Sequence, residues 1–189
     1  MTAPIILASQ SPRRKQLLEW AEIPFTIHVS ETDESYPAGL SNEETAIHIA
    51  RNKALAVAAI HGHDVPILAA DTIVVCDEEV IGKPTDRAHA LEILRKLSGN
   101  THEVITGVVI LWRGVEHSFA DTTRVQFHAL TEEQLAFYVD QYKPYDKAGA
   151  YAIQEWIGVT GIARIEGDFY NVMGLPVSRV VQALDEMRK

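Results

Sequence analysis

Asp71 stands inside an apolar run, Ile67-Leu68-Ala69-Ala70-Asp71-Thr72-Ile73-Val74-Val75-Cys76. A carboxylate there is costly unless it is paired, metal-bound or placed at the open end of a strand. Open α/β sheets gather ligands outside the carboxyl ends of their strands. Asp71 is therefore a candidate for metal binding or general base catalysis. The competing reading is an edge strand with Asp71 facing water, or a structural ion pair. By strand alternation Thr72 points to the opposite face. It would reach the same ligand only near the strand's end or through its backbone.

Cations suited to an anionic partner are dispersed along the chain. Ser9-Gln10-Ser11-Pro12-Arg13-Arg14-Lys15 joins a strand to a helix N-terminus, whose free N–H groups and dipole attract anions. Three cations in that first turn oppose the dipole at about 0.3–1 kcal/mol each. The discord suits a bound phosphate, with Arg13 assigned before the others; a solvated basic turn is the bland reading. Lys53 borders the helical apolar stripe of Ile47, Ala50, Ala54 and Val57, and Lys83 sits in Gly82-Lys83-Pro84. Either lysine alone reads as a surface residue, yet with Arg13 they could neutralise a triphosphate. Glu31, Asp33 and Glu34 could hold Mg²⁺, which favours oxygen ligands and phosphate, or form a solvated acidic loop. In Asp146-Lys147-Ala148-Gly149-Ala150-Tyr151-Ala152-Ile153-Gln154, small residues would let backbone approach a ligand. Gln154 offers a donor and acceptors suited to a uracil-like edge; a packed turn with a surface amide is the competing reading.

These residues need an α/β scaffold. The pattern predicts a strand over 4–8, a helix over 12–21 with Ser11 as N-cap and Pro12 first, and a strand over 23–29. A polar loop spans 30–42. A long helix follows over 43–60, opened by a Ser41/Glu44 capping box. Further expectations are a buried strand over 67–76, a short return through Val80 and Ile81, and a helix over 86–97 ended by Gly99. Strands over 103–112 and 118–128 flank an Arg113-Gly114 turn, and Thr131 with Gln134 caps a helix to Tyr142. The stretch 143–161 reads as turns, 162–165 as a strand and 176–187 as a last helix. Hairpin-like pairs predict a mixed, twisted sheet with flanking helices.

Composition narrows the function. A chain of 189 residues with 47% hydrophobic content suits one domain of one or two lobes. The formal charge of −9 argues against nucleic-acid and anionic-membrane partners. No apolar run is long enough to span a bilayer, and the N-terminus lacks signal-peptide features. Cys76 is the only cysteine, which suits a reducing, cytoplasmic setting and reads as packing. Walker A, Gly-x-Gly-x-x-Gly, Gly-x-Ser-x-Gly and zinc-site spacings are absent.

The ordered set Leu7-Ala8-Ser9-Gln10-Ser11-Pro12-Arg13-Arg14, Ala70-Asp71-Thr72, Gly82-Lys83-Pro84, Leu97-Ser98-Gly99, Asp146 to Gln154 and Val172-Met173-Gly174-Leu175-Pro176 resembles the Maf family over nearly the whole chain. Glu155-Trp156-Ile157 replaces a stretch often glycine-rich in relatives. The resemblance implies one domain over 1–189 of the inosine triphosphate pyrophosphatase type, two-lobed around a cleft and commonly dimeric. It implies hydrolysis of nucleoside triphosphates at the α-phosphorus with Mg²⁺ or Mn²⁺. Asp71 matches the family's proton acceptor. Arg13, Thr72 and Gln154 match positions tied to substrate choice in the branch acting on dTTP and UTP. Ser9, Arg14, Glu34, Lys53 and Lys83 match polar positions around triphosphate and metal, so Glu34 and Asp71 are the expected metal ligands. The segment around Gln154 favours that branch over the sister branch acting on 7-methyl-GTP. A non-catalytic nucleotide-binding regulator of septum formation is the reading from another class.

Overall fold

In the computed structural model, which describes residues 4–189, seven strands form one mixed sheet flanked by helices. The elements are β1 (Ile5–Leu7), α1 (Pro12–Trp20), β2 (Phe25–Ile27), α2 (Asn42–His61), β3 (Ile67–Cys76), β4 (Glu79–Ile81), α3 (Arg87–Leu97), β5 (Thr101–Trp112), β6 (Val115–Phe127), α4 (Glu132–Tyr142), α5 (Trp156–Gly161), β7 (Ile162–Glu166), α6 (Phe169–Met173) and α7 (Val177–Glu186). A single 3₁₀ turn covers Ala148–Ala150. Strand order is β2-β1-β3-β5-β6-β7, with β4 beside β3. β1 runs parallel to β2 and β3, whereas the β3–β4 and β6–β7 pairs are antiparallel.

The chain divides into two compact units. One comprises the described residues through Thr72 with Thr106–Asp121 and Gly174–Lys189; the other comprises Ile73–Ile105 and Thr122–Met173.

In the first unit, α2 lays Ala50, Ala54, Val57 and Ala58 on Ile6, Ala8, Ile67, Ala69, Val109 and Leu111. Those strand residues share the parity expected of one sheet face. Ser41 and Glu44 close the predicted capping box at the start of α2. Gly107 lets this helix approach β5, because a Cβ there would lie 2.3 Å from the Ala46 carbonyl carbon. Arg113 (φ 51°) and Gly114 (φ 79°) turn the β5–β6 hairpin. Left-handed conformations at both turn residues match the strands' twist.

In the second unit, α3 packs on α4 and on the 3₁₀ turn. Thr131 and Gln134 cap α4 as expected. Gly149, at φ 72°, sits so close to Val74 that an added Cβ would meet its side chain at 3.1 Å.

Three local expectations change. The strand over 23–29 shrinks to Phe25–Ile27, and Ile27 and Val29 stay exposed. α5 replaces part of the stretch read as turns, and α6 forms where no element was expected. At six and five residues, neither helix is long enough to display a 3.6-residue period.

Candidate functional site

The β1–α1 junction is organised around Arg14. Ser11 caps α1 and Pro12 opens it, which places Arg14 one turn in, over the end of β1. Arg14 is 8% exposed, and its guanidinium donates to three neutral oxygens. Nη1 reaches Ser9 Oγ at 3.1 Å, Nη2 reaches Thr72 Oγ1 at 3.0 Å and Nε reaches the Gly174 carbonyl at 2.8 Å. Thr72 Oγ1 also pairs with Thr106 Oγ1 at 2.9 Å. Gly174 has φ 114°, a conformation that favours glycine. Burial lowers the Arg14 pKa; the charge of Asp71 opposes this, Arg13 adds to it and Glu34 opposes it. Arg13, the cation assigned first from sequence, is half-buried beside this group.

Asp71 lies on the other side of β3. Its odd parity matches Ile67 and Ala69, which pack against α2. Lys53, projecting from α2, meets Asp71 Oδ1 at 2.7 Å. The same ammonium meets Glu34 Oε1 at 2.8 Å. The side chains of Lys53 and Asp71 are 19% and 15% exposed, that of Glu34 57%. Asp71 is thus neither solvated on an edge strand nor isolated. Thr72, its chain neighbour, faces α1, as alternation predicts. Two polar groups therefore flank one strand: Glu34, Lys53 and Asp71 on the α2 face, and Ser9, Arg14, Thr72 and Thr106 on the α1 face.

The acidic loop does not act as a unit. Asp33 accepts from the Ser35 amide and hydroxyl, at 2.9 and 2.6 Å, and those bonds lower its pKa. Glu31 is exposed. Glu34 alone of the three is paired with Lys53. Among the described residues, no three His, Cys, Asp or Glu side chains converge as a self-sufficient metal site. Glu34 and Asp71 do converge on a single cation. One or two carboxylates, completed by phosphate oxygens, are the usual provision for Mg²⁺, so this donor set fits such an ion bound with a polyphosphate.

Lys83 and Gln154 belong to the second unit, and both are exposed. Lys83 follows β4, and its neighbour Gly82 accepts from the Gly149 amide at 3.2 Å. That bond ties the Lys83 loop to the segment ending at Gln154. The Glu155 amide donates to the Ala152 carbonyl at 3.1 Å, which closes a turn with Gln154 as its third residue. Tyr138 Oη accepts from the Ala152 amide at 3.1 Å and donates to Glu155 Oε2. Lys147 is buried and pairs with Asp146 at 2.7 Å and Glu155 at 3.7 Å. Deeper in the unit, His102 Nε2 and Tyr151 Oη lie 2.7 Å apart. Burial lowers His102 to about 4 and pushes the Tyr151 hydroxyl above the usual phenol range.

Thr106 and Tyr138 escaped the sequence reading, and Gly174, Lys147 and Glu155 stood in its quoted segments without a role of their own. Of the first two, only Thr106 leaves a trace, as a polar interruption of Val104-Ile105-Thr106-Gly107-Val108. Cys76 is buried, and burial raises its thiol pKa, in keeping with a packing role.

A family model described as Maf-like protein matches residues 4–187. A Cytophaga hutchinsonii protein named dTTP/UTP pyrophosphatase is 52% identical over 186 residues, covering 97% of this chain and 84% of its own. Proteins of the same name from Bacteroides fragilis and Bacillus mycoides are 44% and 48% identical, covering 97% and 96% of this chain and 95% and 94% of theirs. Among solved structures, a nucleoside-triphosphatase / dITP/XTP pyrophosphatase from Mycobacterium abscessus is 15% identical, with a TM-score of 0.39 over 66% of this chain and 73% of its own. A HAM1 protein from Coxiella burnetii is 16% identical, with a TM-score of 0.44 over 66% and 72%.

Proposed function

Since the chain belongs to the Maf-like protein family, we propose that it hydrolyses dTTP and UTP to the monophosphate and pyrophosphate. The observation that carries this reading is the grouping of Glu34, Lys53 and Asp71 on one side of β3, back to back with the Arg14 group on the other. Relatives at 44–52% identity, matched over most of their length and named for this activity, support the substrate class.

Asp71 is the base. It is sheltered, ionisable and held by a cation, and it orients or deprotonates the water that attacks the α-phosphorus. Pyrophosphate then leaves in a single step. Lys53 keeps two carboxylates together and presents its ammonium to phosphate oxygens. Arg13 and Lys83 bind the leaving pyrophosphate electrostatically. Ser9 and Thr72 present hydroxyls at the α1 face, held there by Arg14. Because three N–H groups of Arg14 go to protein oxygens, its part is to hold this surface in place rather than to supply the main phosphate contact. Gln154 reads the edge of the base. Mg²⁺ or Mn²⁺ supplies charge shielding of the phosphates when bound, and Glu34 and Asp71 are the residues that would hold it. A cytoplasmic homodimer completes the proposal on the family resemblance, and light scattering after size exclusion tests the dimer.

Incubation with UTP, dTTP, CTP, GTP, ATP and 7-methyl-GTP in Mg²⁺ and in Mn²⁺, with separate pyrophosphate and orthophosphate readouts, tests the activity. Pyrophosphate released fastest from UTP and dTTP is expected. Preference for 7-methyl-GTP moves the chain to the sister branch. Stepwise orthophosphate, or binding without turnover, refutes the proposal.

A further inference from the structure

The turn that displays Gln154 is built with unusual economy around one hydroxyl. Tyr138 is fully buried on α4, and its Oη serves both ends of the turn. It accepts the Ala152 amide at 3.1 Å, two residues before Gln154, and donates to the Glu155 carboxylate, one residue after. A tyrosine hydroxyl has one proton to give, so the donor here is committed to Glu155. The turn is closed internally by the Glu155 amide on the Ala152 carbonyl. The buried Lys147 pairs with the same Glu155 carboxylate. Behind it, a Cβ on Gly158 would lie 1.7 Å from the Ile153 carbonyl oxygen, so the backbone of α5 abuts the turn. Ala152, Ile153 and Glu155 are all pinned, while the Gln154 side chain between them is left exposed.

We infer that Tyr138 is a specificity-positioning residue: its hydroxyl fixes the Ala152–Glu155 turn so that Gln154 meets the nucleotide base in one orientation. A primary amide reads a base edge only if donor and acceptor are correctly aimed, and a free turn would spend binding energy on ordering itself. Tyr138 touches neither base nor phosphate in this scheme and acts through Gln154. The inference rests on the reading of Gln154 as the base-contacting residue.

The test is a double-mutant cycle in the full chain, scored as the ratio of kcat/KM for UTP to that for GTP, with melting temperature measured alongside. Gln154→Ala alone is expected to narrow the ratio, and an unchanged ratio there removes Gln154 from base reading. Tyr138→Phe is expected to narrow it on the order of 2–10-fold, the scale of a misdirected hydrogen bond, and to add nothing in the Gln154→Ala background. An unchanged ratio in Tyr138→Phe overturns the positioning role even when Gln154→Ala behaves as expected. So does an equal effect in both backgrounds, or a loss of rate shared by UTP and GTP. If Tyr138→Phe does not fold, Glu155→Ala breaks the other end of the same link and is judged by the same criteria.

Discussion

Gly107→Ala tests whether the helix bearing Lys53 is placed by backbone contact. The added Cβ would lie 2.3 Å from the Ala46 carbonyl carbon and from the Ile47 nitrogen. Ordinary contact starts at 3.4 Å, so helix and strand must separate by about 1.1 Å, and no flexible side chain can absorb the overlap. Val108, Val109 and Ile110, which follow on β5, are fully buried, which leaves little freedom to tilt the strand. Overpacking of this kind costs about 1–3 kcal/mol and more when backbone meets backbone. At roughly 2–4 °C per kcal/mol for a chain of this size, a loss of ~3 kcal/mol lowers Tm by about 6–12 °C. Lys53 lies on the same helix, so a retreating α2 also stretches its 2.7 Å bond to Asp71. Pyrophosphate release at 25 °C, where the variant remains folded, is expected to fall at least several-fold. Calorimetry and the pyrophosphate assay on the same preparation decide the matter. A Tm within about 1–2 °C of the parent with unchanged turnover would mean that α2 is not placed by this backbone contact.

Asp71→Asn is isosteric and is expected to fold normally while losing about 10²-fold or more in kcat, if the carboxylate acts as the base; near-normal turnover would exclude that role. Lys53→Met leaves Asp71 and Glu34 facing each other without their shared cation. Its Tm should fall, and millimolar Mg²⁺ should raise it more than in the parent, since an ion bound only by the folded state stabilises it; thermal melts with and without Mg²⁺ check this, and equal Mg²⁺ responses would speak against the Glu34–Asp71 metal site. His102 supplies a pH dependence. Burial lowers its folded pKa to about 4 from 6.5, so below pH 6.5 the unfolded chain takes up a proton that the folded chain refuses. The contribution is intact above pH 6.5 and declines by ~1.4 kcal/mol per pH unit down to about 4. Urea melts between pH 7.5 and 5 should show that slope flattened in His102→Gln, and parallel slopes would mean that His102 titrates normally.

Much of this molecule was legible in one dimension. β3 begins and ends where its apolar run does, and the Ser41/Glu44 and Thr131/Gln134 boxes start α2 and α4 where their spacing says. The Arg113-Gly114 turn also falls as predicted. These features depend on neighbours within four residues, or on periodicities of 2 and 3.6, which the chain carries locally. Alternation even placed Asp71 and Thr72 on opposite faces. What the tertiary structure decided is partnership. The basic turn puts Arg13 first; burial singles out Arg14, by bringing a carbonyl 160 residues away to its guanidinium. Thr106, Tyr138 and the pairing of Lys53 with both Glu34 and Asp71 have the same origin. A buried polar group must find a hydrogen-bonding partner, and which one it finds is set by how distant segments pack, a fact that no local pattern records.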